Sequence, residues 1–265
     1  MIEYFVLNFQ TFMMIFARLF GLFAIAPVFS MDSVRGPVRV MLAFVIALIL
    51  FPVTAGYMPM VPGNMPIYGM ILLMELLIGI LIGFLVHFMF AAFQMAGEFF
   101  NVQLGFGYTE VLDPVTQSSL PVISNLKNLF GILIFLITGG HRIMIESLAY
   151  SYEHIRMYDL DSVYNDGLFR TMEGMVGAMF VVAFKISFPV LGILFLVTVA
   201  EALMGKAAPQ LNILQLSFPI KIIIGLIILF AIMPFIEEQI EQSFSIAFDK
   251  INKMINEWPG ANGTI

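Results

Sequence analysis

Residues 98–125 read Glu-Phe-Phe-Asn-Val-Gln-Leu-Gly-Phe-Gly-Tyr-Thr-Glu-Val-Leu-Asp-Pro-Val-Thr-Gln-Ser-Ser-Leu-Pro-Val-Ile-Ser-Asn. This stretch lies between two long apolar runs, yet it does not read as a membrane helix. Gly105 and Gly107 weaken a helix. Pro114 and Pro121 each remove a backbone donor and push the residue before them toward extended geometry. Asp113, Thr116, Gln117, Ser118 and Ser119 supply side-chain acceptors suited to turns. Phe106, Tyr108, Val111 and Leu112 put bulky apolar groups between these breakers. At membrane depth, irregular backbone persists only where protein buries it or where it lines a cavity. The stretch therefore leaves the bilayer, or it packs inside an assembly and faces a passage. The rest of the chain favours the second reading.

Of the 265 residues, 60% are hydrophobic and 11% charged, and the mean hydropathy is +0.98. A soluble domain carries roughly 25% charged residues. This is the composition of a membrane protein, with no polar stretch long enough for a separate soluble domain. Cysteine is absent, which excludes disulfides, thiol catalysis and thiolate metal sites. A net charge of -6 argues against a nucleic-acid partner. The first apolar run has no basic flank and no small-residue cleavage site after it, so it is expected to be retained.

Six apolar segments are legible: Tyr4–Phe29, Val40–Tyr57, Ile67–Ala96, Pro121–Thr138, Met175–Met204 and Ile213–Pro234. Ala96-Gly97-Glu98 is predicted to close the third segment, and Gly139-Gly140-His141-Arg142 to close the fourth. A polar region from about Ser151 to Glu173 reads as a solvated connection. From Ile236 to Trp258, apolar residues recur at helical spacing between charged ones, the pattern of an amphipathic helix. The fold class is thus an all-α integral membrane protein with about six long apolar segments and a C-terminal amphipathic helix.

Alternating crossings would put Arg35, Arg39, Lys127 and Lys206 on one side but Arg142, Arg156 and Arg170 on the other. That is a poor positive-inside pattern. Arg18, Glu75, His87, Lys185 and Lys221 fall inside apolar runs, and charges at that depth need partners. Gly79 and Gly83 form a small-xxx-small pair that admits a neighbouring helix. A lone lipid-embedded chain bears these features at high cost, so the sequence points to one part of an assembly. Arg18, Glu75, Glu98, Lys185 and Lys221 are candidate interface or buried charges.

Catalytic motifs are missing. His87, His141 and His154 are scattered, and there is no Walker-type loop or serine nucleophile elbow. The chain does not read as an enzyme, and no metal or cofactor is expected. A secondary transporter or ion channel acting alone is the alternative, with Glu75, His87 and Lys185 as its ion path, because buried charges and broken helices are transporter marks.

The chain resembles the FliR family, the R subunit of the flagellar type III protein export gate, which is related to the T subunit of virulence type III secretion systems. The landmarks are Arg18, Ala26-Pro27, Pro37-Val38-Arg39, Glu75, Ile78-Gly79 and Gly83-Phe84. They continue with Ala96-Gly97-Glu98, Gln103-Leu104-Gly105, Asp113-Pro114, Gly140-His141, Ala208-Pro209-Gln210-Leu211-Asn212 and Phe218-Pro219. Each is short; their order and spacing carry the resemblance from about Phe5 to Trp258.

The resemblance implies a subunit of the export-gate channel that conducts unfolded flagellar proteins across the bacterial inner membrane at the flagellar basal body. It implies P and Q subunits, the B-type export switch protein, rod proteins and unfolded export substrates as partners, with inner-membrane lipid around them. Residues 1–258 would form a single membrane domain of kinked helical hairpins. A P-like part to about residue 140 would be followed by a Q-like part from about 141, with 259–265 a disordered tail. Part of the assembly would project toward the periplasm. A loop near residues 99–122 would plug the closed pore. Its plug residues would be Gly105, Phe106, Gly107, Tyr108, Val111, Leu112, Asp113 and Pro114.

Overall fold

The structure, a computed structural model, describes residues 2–30, 34–58, 61–104, 129, 131–133, 135–137, 139–155, 166–208, 210, 213–256 and 258. In chain order the helices are α1 (Ile2–Ile25), α2 (Gly36–Thr54), α3 (Met65–Leu104), α4 (Gly140–His154), α5 (Asp166–Ala207), α6 (Ile213–Ala231) and α7 (Met233–Asn256). No strand occurs among the described residues. Among the described residues, four helical segments are long and apolar enough to cross a membrane: Val6–Ile25, Gly36–Tyr57, Met65–Leu104 and Arg170–Ala207. The number rises to six if each of two bent helix pairs counts as one span. The chain is an all-α membrane protein.

Prolines sit where a helix tolerates them or is made to bend. Pro37 occupies the first turn of α2, where its missing N–H is not needed. Pro27 follows a bend at Ala26 and separates α1 from the short helical turn Pro27–Ser30. Pro189 and Pro219 lie inside α5 and α6 without ending them.

Two elements differ from the sequence prediction. The break predicted at Ala96-Gly97-Glu98 does not occur, and α3 continues to Leu104. The reason is burial: Ala96, Phe100 and Leu104 repeat every four residues and are all fully covered. One covered stripe across the glycine outweighs its propensity cost of about 1 kcal/mol. Second, the stretch from Ser151 to Glu173 that reads as a connection is helical at both ends, since α4 runs to His154 and α5 begins at Asp166. Gly139, at φ 73, takes the left-handed conformation that launches α4.

The chain divides into two compact units. The first comprises Met1–Met89, Gly139–Gly177 and Phe244–Ile265. Here α2 lies along α1, with the small Ala43 and Ala47 buried at the contact. The Phe12 ring meets the rings of Phe44 at 5.1 Å and Phe51 at 6.2 Å. Tyr68 Oη donates to the Gln10 carbonyl at 3.0 Å. The end of α7 buries Phe244, Ala247, Ile251, Met254 and Ile255, the apolar face expected of the C-terminal amphipathic helix. Tyr150 Oη donates to Asn256 Oδ1 at 2.8 Å and ties that end down.

The second unit comprises Phe90–Thr138 and Ala178–Ser243. Its core includes Phe93, Phe100, Phe135, Val190 and Leu194. Phe90 packs edge-on against Phe135 at 5.6 Å, and Phe99 stacks on Phe184 at 5.2 Å. Gly225 of α6 leaves the space that the Leu104 side chain fills.

Candidate functional site: buried charge nodes

In the first unit, α1 and α3 meet backbone to backbone. A Cβ at Gly79 would collide with the Arg18 carbonyl, one at Gly21 with the Leu76 carbonyl, and one at Gly83 with the Leu22 carbonyl. Only glycine allows this approach, the use to which small-xxx-small spacing is put in membrane helices. It sets Arg18 opposite Glu75. Arg18 Nε donates to Glu75 Oε2 at 2.5 Å, and both side chains have 0% exposure.

Helix α4 completes the node. Arg18 Nη1 donates to Ser151 Oγ at 2.9 Å, and Ser151 Oγ donates onward to the Leu148 carbonyl at 2.6 Å. The guanidinium lies 4.3 Å from the centre of the Tyr152 ring, a cation–π contact in a desolvated place. Tyr152 Oη donates to the Ile15 carbonyl at 2.8 Å, one turn before Arg18 on α1. Arg18 Nη2 and Glu75 Oε1 are buried without a hydrogen-bond partner among the described residues. The arrangement joins three helices at one enclosed point, which suits it to hold helices rather than to bind substrate.

A second node lies in the second unit. Lys221 Nζ of α6 is 3.3 Å from Glu201 Oε2 of α5. Ser217 Oγ, one turn earlier on α6, donates to the same oxygen at 2.7 Å. Together they clasp the hairpin made by α5 and α6.

The remaining charges are placed differently. Glu98 is exposed on α3, where Asn101 Nδ2 donates to its Oε2 at 3.5 Å. Lys185 is exposed on α5 and has no ion pair among the described residues. It stands in the wall of an open groove of about 540 Å³ formed with Phe180, Phe184, Phe188 and Phe235. Among the described residues, no three His, Asp or Glu side chains stand together as a metal ion would require. Gly105, Phe106, Gly107, Tyr108, Val111, Leu112, Asp113 and Pro114 all lie outside the described residues.

The structure thus brings Arg18 to Glu75 and Lys221 to Glu201. Ser151, Tyr152 and Ser217 are partners of these charges that the sequence reading does not single out. A signal for the first two exists: Met144, Leu148 and Tyr152 recur every four residues and are buried, and Arg142 pairs with Glu146 on the outer face at 2.8 Å. That is amphipathic helical spacing in a stretch too polar to register as an apolar run.

Comparison of the sequence with known proteins points to a family of export proteins. The family model described as "Bacterial export proteins, family 1" matches residues 9–247. The flagellar biosynthetic protein FliR of Bacillus subtilis (strain 168) is 28% identical over 251 residues, covering 93% of this chain and 95% of that protein. FliR of Escherichia coli (strain K12) is 28% identical over 247 residues, covering 91% of each. FliR of Borreliella burgdorferi is 26% identical over 251 residues, covering 94% of this chain and 92% of the relative. With a match that takes in both charge nodes and almost every helix, the chain belongs to family 1 of the bacterial export proteins, the FliR family.

Proposed function

We propose that this chain is a membrane subunit of the flagellar protein-export apparatus in the bacterial inner membrane. The observation that carries the reading is the length of its exposed apolar surface. Along α5, Val176, Phe180, Phe188, Leu196, Leu203 and Met204 all present large apolar side chains outward. That stretch rises about 42 Å at 1.5 Å per residue, whereas a bilayer's hydrocarbon covers roughly 30 Å. The surplus apolar surface needs other protein to cover it. A hetero-oligomer with P and Q subunits supplies that cover, and part of the assembly projects toward the periplasm.

The finer reading rests on the family resemblance. Residues 1–140 form a P-like part and 141–258 a Q-like part of one membrane domain. The loop containing Gly105, Phe106, Gly107, Tyr108, Val111, Leu112, Asp113 and Pro114 closes the pore between export events. Phe106, Tyr108, Val111 and Leu112 supply sealing bulk, the two glycines supply backbone freedom, and Asp113-Pro114 sets the return turn. The B-type switch protein, rod proteins and unfolded substrates are its further partners. The subunit works by conduction and assembly rather than by catalysis.

Replacing Phe106 and Tyr108 together by Ala tests the plug. In a correctly assembled complex, the inner membrane becomes permeable to small solutes. Unchanged permeability with assembly intact contradicts the plug role.

A further inference from the structure

Lys185 is the one charge on α5 between Glu173 and Glu201. It lies twelve residues from the first and sixteen from the second, about 18 Å and 24 Å along the helix. A lysine stem reaches only about 6 Å, so its ammonium falls well short of either of these carboxylates along the helix. It has no carboxylate partner among the described residues. Around it, Phe180, Phe184 and Phe188 form one row along α5, Lys185 and Pro189 belong to the next row, and Phe235 closes one side. Rows spaced by four residues are the ridges between which the side chains of a second helix pack. Pro189 has no N–H to give the Lys185 carbonyl, so the same groove also offers a backbone acceptor.

We propose that this aromatic groove receives an apolar helix of a partner membrane subunit, and that a carboxylate on that helix pairs with Lys185. The inference rests on the proposed membership of a membrane hetero-assembly and adds the chemistry of one contact. The rows of side chains beside the ammonium suit a second helix, which favours a helix-borne carboxylate over a lipid phosphate. The aromatic walls exclude water and strengthen the pair.

The test uses the full chain co-expressed with its membrane partners. Lys185→Glu and Lys185→Met are compared with the unaltered chain for recovery of the intact complex in mild detergent. The amount of chain reaching the membrane is measured alongside and controls for folding. Lys185→Glu is expected to cut recovery at least about tenfold at unchanged chain level, because it sets two carboxylates together in an apolar site. Restoration by a Glu→Lys or Asp→Lys change within an apolar segment of a partner identifies the pair. Equal recovery of all three forms overturns the proposal while leaving the assembly reading in place. Loss of a retained anionic phospholipid from the Lys185→Met complex, with all subunits kept, overturns it in favour of a lipid phosphate. Failure of the unaltered chain to assemble at all removes the parent reading instead.

Discussion

Arg18 Nε and Glu75 Oε2 stand 2.5 Å apart with both side chains fully buried, one from α1 and one from α3. Two charges withdrawn from water attract strongly, but each also loses its hydration. Removing one partner therefore costs more than removing both, because the survivor is left buried and unpaired. Arg18→Met or Glu75→Gln alone is expected to destabilise the chain by about 3–5 kcal/mol. Arg18→Met combined with Glu75→Met is expected to cost much less than the sum. Unfolding in graded SDS–detergent mixtures reads all three, and additive losses would contradict a coupled pair.

Gly79 should be as important as the charges it brings together, because its missing side chain makes room for the Arg18 carbonyl. Gly79→Ala is expected to push α1 from α3 and cost about 1–3 kcal/mol by overpacking, with further loss as the ion pair lengthens. Gly69, on the same helix, has nothing within 4 Å of an added Cβ. Gly69→Ala is expected to be neutral or stabilising by up to about 1 kcal/mol. The same unfolding measurement compares them, and equal effects at both positions would refute the close-approach account.

The contrast with the hairpin node yields a third outcome. Lys221 keeps 18% side-chain exposure against 8% for Glu201, so part of its charge stays near solvent or another subunit. Glu201→Gln is expected to cost about 1–3 kcal/mol, less than Glu75→Gln, because the partly exposed ammonium keeps some hydration. Ser217→Ala is expected to cost about 1 kcal/mol through one lost hydrogen bond to a carboxylate. A larger loss for Glu201→Gln than for Glu75→Gln would show that burial does not rank the two nodes.

Much of this was legible in the residues. Arg18 and Glu75 stand out in the sequence because a charge in an apolar run needs a partner, and Gly79 with Gly83 marks a close helix contact. The amphipathic end helix also declares itself by spacing, since Ile240, Phe244, Ala247, Ile251 and Met254 are all buried. Which charge meets which is not legible, because Arg18 and Glu75 are 57 residues apart and their meeting depends on how α1 and α3 cross. Helix α4 escapes for a different reason: its apolar face alternates with His141, Arg142, Glu146 and Glu153, so no run of apolar residues marks it. The continuation of α3 past Gly97 escapes because tertiary burial of Phe100 and Leu104 overrides a local helix breaker.

The central claim is that this chain works as one subunit of a membrane export assembly, and the mass of the intact complex tests it most directly. The chain is extracted in mild detergent after co-expression with the neighbouring membrane subunits, and native mass measurement counts its copies. The account predicts a single copy within a large complex containing two other kinds of small apolar membrane protein. A monodisperse monomer or small homo-oligomer, unchanged by the neighbours' presence, would contradict it.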